Sequence, residues 1–409
     1  MKNKKIFYGW IIVAAACLIM GTTTGIVTNC NSLFIRPIAE DLGVSRQAVS
    51  TMVSLQNFGM MFTAFMAGRI FTEDNIVKVM RAAITVMVIT YFCNSFVHQI
   101  WIMYITYLIN GVMLCVVSML PTTFLINNWF RDKVGFALGL ASMGSGFGGA
   151  IFNMIAGHLM DSMGWRMTYR VLALCMAVMA VPCIFLVLKL RPSDIGLTPY
   201  QENGTSAQTE ETPVTGYTFA EVRKMPKFWF MCFLTVLVGT TMFSMYSSIS
   251  PHLQDKGYSL VFSANVLSVC LFAMAAGKVV IGKIFDRFGV RVGYCWACLC
   301  LLLGMVGMLF CRYVPMLIFL VLGVAFGAIF GAVVYPLTIP KVFGRREYRA
   351  ILGPFSALMS FGGVLGPLFA GKIFDLTGSY DPCFRIDIVV LAVIILIMFR
   401  ILPSREQEL

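Results

Sequence analysis

Apolar residues run through this chain in long blocks that charged residues rarely interrupt. No Asp, Glu, Lys or Arg lies between Lys227 and Asp255 or between Arg81 and Arg131. A helix needs ~20 apolar residues to cross ~30 Å of hydrocarbon, and both blocks are longer than that. The pattern therefore predicts an all-α membrane protein.

Twelve apolar spans can be marked, each long enough for one crossing of a membrane. They cover residues 7–29, 48–71, 77–97, 99–127, 134–158, 168–190, 228–250, 262–285, 292–312, 314–337, 351–374 and 383–402. Residues 191–227, between the sixth and seventh spans, are polar and rich in turn-forming residues, which predicts a linker. We therefore predict an N-terminal six-helix half (residues 1–190), a cytoplasmic linker (191–227) and a C-terminal six-helix half (228–409).

A Gly-x-x-x-Asp motif recurs at regular intervals. It occurs at Gly157–Asp161, Gly282–Asp286 and Gly371–Asp375, and a degenerate copy, Gly68-Arg-Ile-Phe-Thr72, is followed by Glu73 and Asp74. Corresponding copies in the two halves are 214 residues apart, and the two copies within each half are 89 residues apart. A single copy would indicate only close helix packing. Four copies in this arrangement, on helices of alternating direction, predict two inverted three-helix repeats in each half.

Composition and charge support the same class. Hydrophobic residues make up 59% of the chain and charged residues 12%, and the net charge is +12. In a soluble protein that charge would suggest nucleic acid as a partner, but here the basic residues lie in short loops, so we expect a lipid bilayer and no nucleic acid. With the N-terminus inside, 22 of the 31 Lys and Arg residues lie on that side and 8 on the other. This asymmetry predicts a multi-pass protein of the cell membrane (inner or plasma) with both termini in the cytoplasm.

No constellation for catalysis or cofactor binding is evident. The basic start followed by an apolar run also fits a signal peptide, but the many similar spans that follow favour a first transmembrane helix. The 13 cysteines lie mostly inside apolar spans without metal-ligand spacing, which indicates reduced thiols. No phosphate-binding loop follows a strand. We therefore expect a monomer that is not an enzyme and binds no cofactor or metal.

Lys278 is a basic residue deep inside a predicted span. It lies seven residues before the end of the eighth span, at a depth of ~10 Å by helix rise. A charge at the membrane centre costs about 2.5–3.5 kcal/mol on insertion scales, so such a residue usually has a partner or a substrate. The alternative is that the long side chain reaches the lipid headgroups.

Uncharged polar residues near the centres of other spans could line a substrate cavity, or could instead form hydrogen bonds between helices. They are Thr23, Thr24, Asn57, Asn110, Asn153, Thr241 and Tyr246. From these and Lys278 we predict five substrate-binding residues: Lys278, Thr24, Asn57, Asn153 and Tyr246.

The loop Gly282-Lys-Ile-Phe-Asp286-Arg287-Phe-Gly289-Val-Arg291 resembles the signature of the major facilitator superfamily between its eighth and ninth helices. The resemblance extends over the whole chain. It implies a fold of two pseudo-symmetric six-helix halves, and gating roles for Gly282, Asp286, Arg287 and Arg291. The loop after the second span departs from the signature, and Glu73 or Asp74 stands in place of its aspartate.

Four segments resemble the oxalate–formate antiporter and monocarboxylate transporter branch of that superfamily. They are Tyr8-Gly-Trp-Ile-Ile-Val, Phe34-Ile-Arg-Pro-Ile-Ala-Glu-Asp-Leu-Gly-Val-Ser45, Arg191-Pro-Ser-Asp-Ile-Gly-Leu-Thr-Pro-Tyr200 and Met225-Pro-Lys-Phe-Trp229. Lys278 stands four residues before Gly282, where those carriers resemble one another in having an arginine for the substrate carboxylate. Lysine lacks the bidentate fork of arginine.

This resemblance implies a secondary transporter of a small organic anion, a mono- or dicarboxylate such as oxalate, formate or lactate. Transport would occur by alternating access, as antiport or as symport with a proton. Two alternatives stay open: a carrier for a neutral solute or for drug efflux, and, from another class, a membrane sensor without transport. A sensor usually carries a cytoplasmic output domain, whereas the longest predicted loop here has only 37 residues.

Overall fold

The computed structural model of this chain describes residues 7–70, 76–201, 216–344 and 346–403, and the regular elements among these residues are helices. The α-helices are α1 (Tyr8–Val27), α2 (Asn31–Leu42), α3 (Arg46–Ile70), α4 (Ile76–Cys93), α5 (Ile100–Val117), α6 (Met119–Trp129), α7 (Val134–Pro182), α8 (Phe219–Val222), α9 (Pro226–Asp255), α10 (Leu260–Leu309), α11 (Leu317–Leu322), α12 (Tyr335–Phe343), α13 (Tyr348–Thr377) and α14 (Asp381–Ile401).

Ten stretches of the described residues are long and apolar enough to cross a membrane. One of them, Val134–Val187, has 54 residues and covers the fifth predicted span and most of the sixth. The second predicted span corresponds to α3, which carries Gln56 and Asn57 and is not among the ten. Every predicted span is thus present as a helix, and the all-α architecture of twelve membrane helices is confirmed.

The long helices α7 and α10 each cover one predicted span and most of the next, and each reverses direction at a glycine. Gly164 has φ 79° and ψ 170°, and Gly289 has φ 83° and ψ 176°. Gly378, which ends α13, has φ 70°. Glycine adopts positive φ without steric cost, unlike other residues. Each of the three lies seven residues after the glycine of a Gly-x-x-x-Asp motif, so the repeated unit ends in the turn that reverses the chain.

The first predicted span, residues 7–29, ends too early. The apolar stretch continues from Tyr8 to Leu42 through α1 and α2, with a break at residues 28–30. The polar run from Thr28 to Ser32 resembles the end of a helix because polar residues usually mark such ends. In the structure this run lies within the crossing, where its side chains face the interior of the protein.

The ends of the predicted linker contact different halves. The Tyr200 N–H donates to the Trp129 carbonyl at 2.8 Å, in the N-terminal half. The Tyr217 N–H donates to the Phe343 carbonyl at 3.0 Å, in the C-terminal half. Residues 202–215 lie outside the described residues, and the boundaries at 190 and 228 stay predictions.

The two halves meet at the helix ends remote from both chain termini, here termed the far side. A Cβ added to Gly371 would lie 2.7 Å from the Gln47 Cα, and one added to Gly157 would lie 2.4 Å from the Ala264 Cβ. The helix ends on the same side as the chain termini, here termed the termini side, lack such close contacts among the described residues. A Cβ added there to Gly139, Gly282 or Gly353 would meet no described atom within 4 Å. The halves are therefore closed together on the far side and apart on the termini side.

Candidate functional site

A cavity of about 180 Å³ lies between the halves, near the middle of the membrane helices. A water molecule needs only ~10–15 Å³ of such space, so this volume is large enough for a small organic molecule. The polar residues of its lining are Thr28, Asn29, Asn31, Ser32, Asn57, Tyr246 and Ser247, and the apolar ones are Val53, Met242, Phe243, Met274, Ala328 and Pro367. None of these lining residues is charged.

Broken helices supply part of this lining. The break at residues 28–30 separates α1 from α2. It brings four polar side chains to the cavity, those of Thr28, Asn29, Asn31 and Ser32. Between α11 and α12 the chain forms two π-helical segments, Gly323–Gly327 and Phe330–Val334, and Ala328 lies between them. Interrupted helices near the membrane centre commonly build transporter binding sites, because their irregular backbone lines a cavity.

Asn29 and Tyr246 join the two halves across the cavity. The Asn29 Nδ2 donates to the Ser145 carbonyl at 3.0 Å, and the Tyr246 hydroxyl donates to the Asn29 Oδ1 at 3.4 Å. The fully buried Asn153 donates to the Asn29 carbonyl at 3.3 Å and to the Gly149 carbonyl at 2.8 Å. Of the predicted residues, Tyr246 therefore lines the cavity, whereas Asn153 lies behind it and holds the backbone of Asn29.

Asn57 and Thr24 are placed differently from each other. Asn57 lines the cavity and donates from Nδ2 to the Gly363 carbonyl of the opposite half at 2.9 Å. Thr24 is absent from the lining and lies one turn of α1 from Thr28, toward the termini side. Its Oγ1 is 2.7 Å from the Ser118 Oγ, a hydrogen bond within the N-terminal half.

Lys278 lies next to the cavity without belonging to its lining. It follows Met274, a lining residue, by four positions on α10, and residues four apart share a helix face. Its Cα is therefore ~6 Å further toward the termini side than that of Met274. The side chain is partly buried and forms no hydrogen bond or ion pair with any residue in the described part of the chain. A cation without a counter-ion at this depth attracts an anion.

The predicted gating residues lie on the termini side at the bend of α10. Asp286 and Arg287 are exposed, and Gly282 faces open space. Arg291 donates from Nε to the Leu402 carbonyl at 2.9 Å, which ties the bend to the end of α14. Their gating roles stay predictions. The degenerate copy of the motif runs into residues 71–75, which lie outside the described residues.

A cluster on the far side was missed by the sequence analysis. The Arg46 guanidinium donates two hydrogen bonds to the Asp255 carboxylate of the opposite half, with a distance of 2.6 Å between Nη2 and Oδ1. The Asp375 carboxylate accepts the N–H groups of Arg46 and Gln47 at 3.2 Å each. It thereby caps the N-terminus of α3 from the other half. Arg46, Asp255 and Asp375 are termed the far-side latch below.

Asp387 is also more deeply placed than the sequence indicates. It is 1% exposed and accepts a hydrogen bond from the Ser244 hydroxyl of α9 at 2.5 Å. Position in the second turn of α14 is no guide to this burial, which depends on how α9 and α14 pack. Across the described ranges, no three His, Cys, Asp or Glu residues lie close enough together to hold a metal ion.

Comparison with known proteins places this architecture in a family. The family model of the Major Facilitator Superfamily matches residues 10–339. Monocarboxylate transporter 13 of Rattus norvegicus is 24% identical over 92% of this chain and 85% of its own length, and monocarboxylate transporter 12 of Homo sapiens is 23% identical over 92% and 77%.

Solved structures show the same fold. The nucleoside transporter NupG superposes with a TM-score of 0.73 at 15% identity, over 96% of this chain and 99% of that one. A D-xylose–proton symporter superposes with a TM-score of 0.69 at 14% identity, over 98% and 99%. With two inverted repeats in each half, a central cavity between the halves and a family model that matches most of its length, this chain belongs to the major facilitator superfamily of membrane transporters.

Proposed function

We propose that this transporter carries a small organic anion, a mono- or dicarboxylate such as oxalate, formate or lactate, by alternating access. The observation that carries the proposal is Lys278. It is a partly buried cation inside the membrane, one turn from the cavity lining, with no ion pair to the described residues. Burying an ammonium without a counter-ion is unfavourable, and an anionic substrate would supply that counter-ion.

The relatives support the same substrate class. Several of the curated proteins that this chain resembles over 92% of its length are named monocarboxylate transporters. The proposal covers both transport by exchange and transport coupled to a proton. We also infer from the Lys and Arg asymmetry that the termini side, toward which the halves are open here, faces the cytoplasm.

Replacing Lys278 tests the proposal. A charged hydrogen bond contributes ~1.5–3 kcal/mol, or about 10- to 150-fold in affinity, so Lys278→Gln should lose carboxylate binding by about that factor. Lys278→Arg keeps the charge and should retain part of the activity. The measurements are isothermal binding to the purified protein and uptake into proteoliposomes, with internal counter-substrate or with an imposed proton gradient. Equal affinities of wild type and Lys278→Gln would mean that the ammonium reaches the headgroups and binds no substrate.

A second candidate is a carrier for a neutral solute or for drug efflux. The observation that favours it is the cavity lining, whose residues are all uncharged. The same Lys278→Gln variant distinguishes the two candidate functions, because a neutral substrate should bind wild type and variant with equal affinity.

A further inference from the structure

Two buried polar groups in the cavity lining lack a hydrogen-bond partner. Asn31 and Ser32 begin α2, just after the break in the first crossing, and are 7% and 2% exposed. The Asn31 Oδ1 and the Ser32 Oγ receive no hydrogen bond from any residue that the structure describes. Leaving such a group unpaired in the interior costs about 1–3 kcal/mol. Both residues line the cavity, so a bound molecule can satisfy them.

The hydrogen-bond network shows which group of Asn31 is free. The Gln56 Nε2 donates to the Val27 carbonyl at 3.1 Å, and a carbonyl can only accept. This fixes the orientation of the Gln56 amide, so its Oε1 accepts the Asn31 Nδ2 at 3.0 Å. The Asn31 side chain is thereby locked with its Oδ1 as the unused atom. That atom is an acceptor and needs a donor.

The donor must come from the substrate end that lies away from Lys278. The far-side end of α2 is Leu42, and the far-side end of α10 is Leu260. Asn31 lies 11 residues from the first of these ends, and Lys278 lies 18 residues from the second. At 1.5 Å per residue the two Cα atoms differ in depth by roughly 10 Å. The flexible four-carbon stem of lysine shortens the gap that a substrate must bridge. A compact molecule with an anionic group toward Lys278 and a donor group toward Asn31 fits this arrangement.

We propose that Asn31 and Ser32 form an acceptor subsite that selects carboxylates bearing a hydroxyl or amino group over their unsubstituted analogues. This inference rests on the proposed function only in assuming that the substrate carries a carboxylate near Lys278. Ser32 can accept from the same donor or donate to its oxygen, since a hydroxyl does both. Sites built to bind a substrate hydroxyl reject the analogue that lacks it, because their polar groups are then left unpaired.

Matched pairs of probes test the subsite on the full-length protein. Binding would be measured for lactate against propionate, 3-hydroxybutyrate against butyrate, and alanine against propionate. A neutral hydrogen bond contributes about 0.5–1.5 kcal/mol and one from a charged donor about 1.5–3 kcal/mol. In at least one pair, therefore, the hydroxylated probe should bind about 3- to 10-fold tighter, or the ammonium-bearing alanine about 10- to 150-fold tighter. Equal affinities within every pair would overturn the proposal and would mean that water alone satisfies these groups.

Variants then locate the effect. Ser32→Ala and Asn31→Leu should reduce the affinity ratio within the selective pair toward one, and measurable binding of propionate or butyrate reports that each variant folds. Ser247→Ala is the matched control, because this cavity hydroxyl already donates to the Ser244 carbonyl at 3.1 Å. A ratio that survives both Ser32→Ala and Asn31→Leu, or that falls equally in Ser247→Ala, would contradict the assignment.

The carboxylate and the donor are tested separately. Lys278→Gln should weaken both members of a pair by the same factor and leave their ratio intact. The neutral pair lactamide and propionamide completes the design. If wild type discriminates between these amides but binds no carboxylate, the proposed anion site fails while the acceptor subsite stands. If wild type discriminates within neither the acids nor the amides, the subsite fails whatever the role of Lys278.

Discussion

At the scale of single residues, Arg46 shows how one side chain holds two halves together. Its side chain is 11% exposed, and its guanidinium contacts the carboxylate of Asp255 and lies 3.9 Å from the centroid of the Phe374 ring. An exposed ion pair contributes little, but a bidentate, largely desolvated one that also packs on an aromatic ring contributes more. We therefore expect closure on the far side to depend on a residue that lies outside the cavity lining.

Arg46→Gln should shift the protein toward a state that is open on the far side. Loss of the charged hydrogen bonds should cost about 1–2 kcal/mol, or about 5- to 30-fold in the ratio of closed to open states. The measurement is labelling of Ser247→Cys, in the cavity, by an impermeant thiol reagent applied from the far side, with reactive native cysteines replaced.

Arg36→Gln is the matched control for this variant. Arg36 pairs mainly with Glu40, one turn away on the same helix, and is 3.7 Å from Asp255. Such a local pair contributes only ~0.3–0.5 kcal/mol, so labelling should change little. Labelling that rises equally in both variants, or in neither, would exclude a specific latch at Arg46.

At the scale of helices, the repeated motif provides close contacts between the halves. Gly371 on α13 faces Gln47 and Ser50 on α3, and Gly157 on α7 faces Val261 and Ala264 on α10. Each residue of the second contact lies 214 positions from its counterpart in the first, the period found in the sequence. The motif is thus a packing unit: its glycine admits the partner helix, and in the copy at Gly371 its aspartate caps that helix.

Gly371→Ala should disfavour the state described here, because its Cβ would lie 2.7 Å from the Gln47 Cα and backbone would have to move. Overpacking of this kind costs about 1–3 kcal/mol, so far-side labelling of the Ser247→Cys reporter should rise about 5- to 150-fold. Gly282→Ala is the control, since its Cβ has open space in this state. Reduced membrane insertion without a change in labelling would indicate a folding defect instead.

At the scale of the whole molecule, the inverted repeats predict a second conformation, in which the halves are closed together on the termini side. Shifting the far-side contact of Gly371 with Gln47 and Ser50 by 89 residues, as the repeat requires, pairs Gly282 with Phe136 and Gly139 on the termini side. Gly282 and Gly139 have no described neighbour within 4 Å of an added Cβ, and Phe136 is 66% exposed. The surfaces around Gly282 and around Phe136 and Gly139 are therefore expected to form an interface between the halves in the second conformation, and this interface is open in the present structure.

Cysteines at Gly139 and Gly282 should therefore form a disulfide only when the termini side closes. Disulfides need Cα atoms about 4.4–6.8 Å apart. Cross-linking, measured by mobility on gels, should be slow in wild type and faster in Arg46→Gln, which releases the opposite side. A cysteine pair at Gly135 and Gly282 offers a matched control one turn away. Equal cross-linking of both pairs would mean that the repeat does not determine the second state.

The sequence by itself determined the features that are local or periodic. Twelve spans follow from the thickness of hydrocarbon that each apolar block must cross. The two halves follow from the spacing of Gly157, Gly282 and Gly371. Hydrophobic length is a property of consecutive residues, so it can be read before any packing is known.

Tertiary structure alone decided which polar residues meet. A polar residue within an apolar span has the same local sequence whether it faces a cavity, as Asn57 does, or supports a neighbour from behind, as Asn153 does. Asn31 and Ser32 were not predicted as cavity residues, because the polar run after α1 has the sequence of a helix end. The pairing of Arg46 with Asp255 joins residues 209 positions apart. Such contacts are set by how helices from two halves pack, and no periodicity along the chain encodes them.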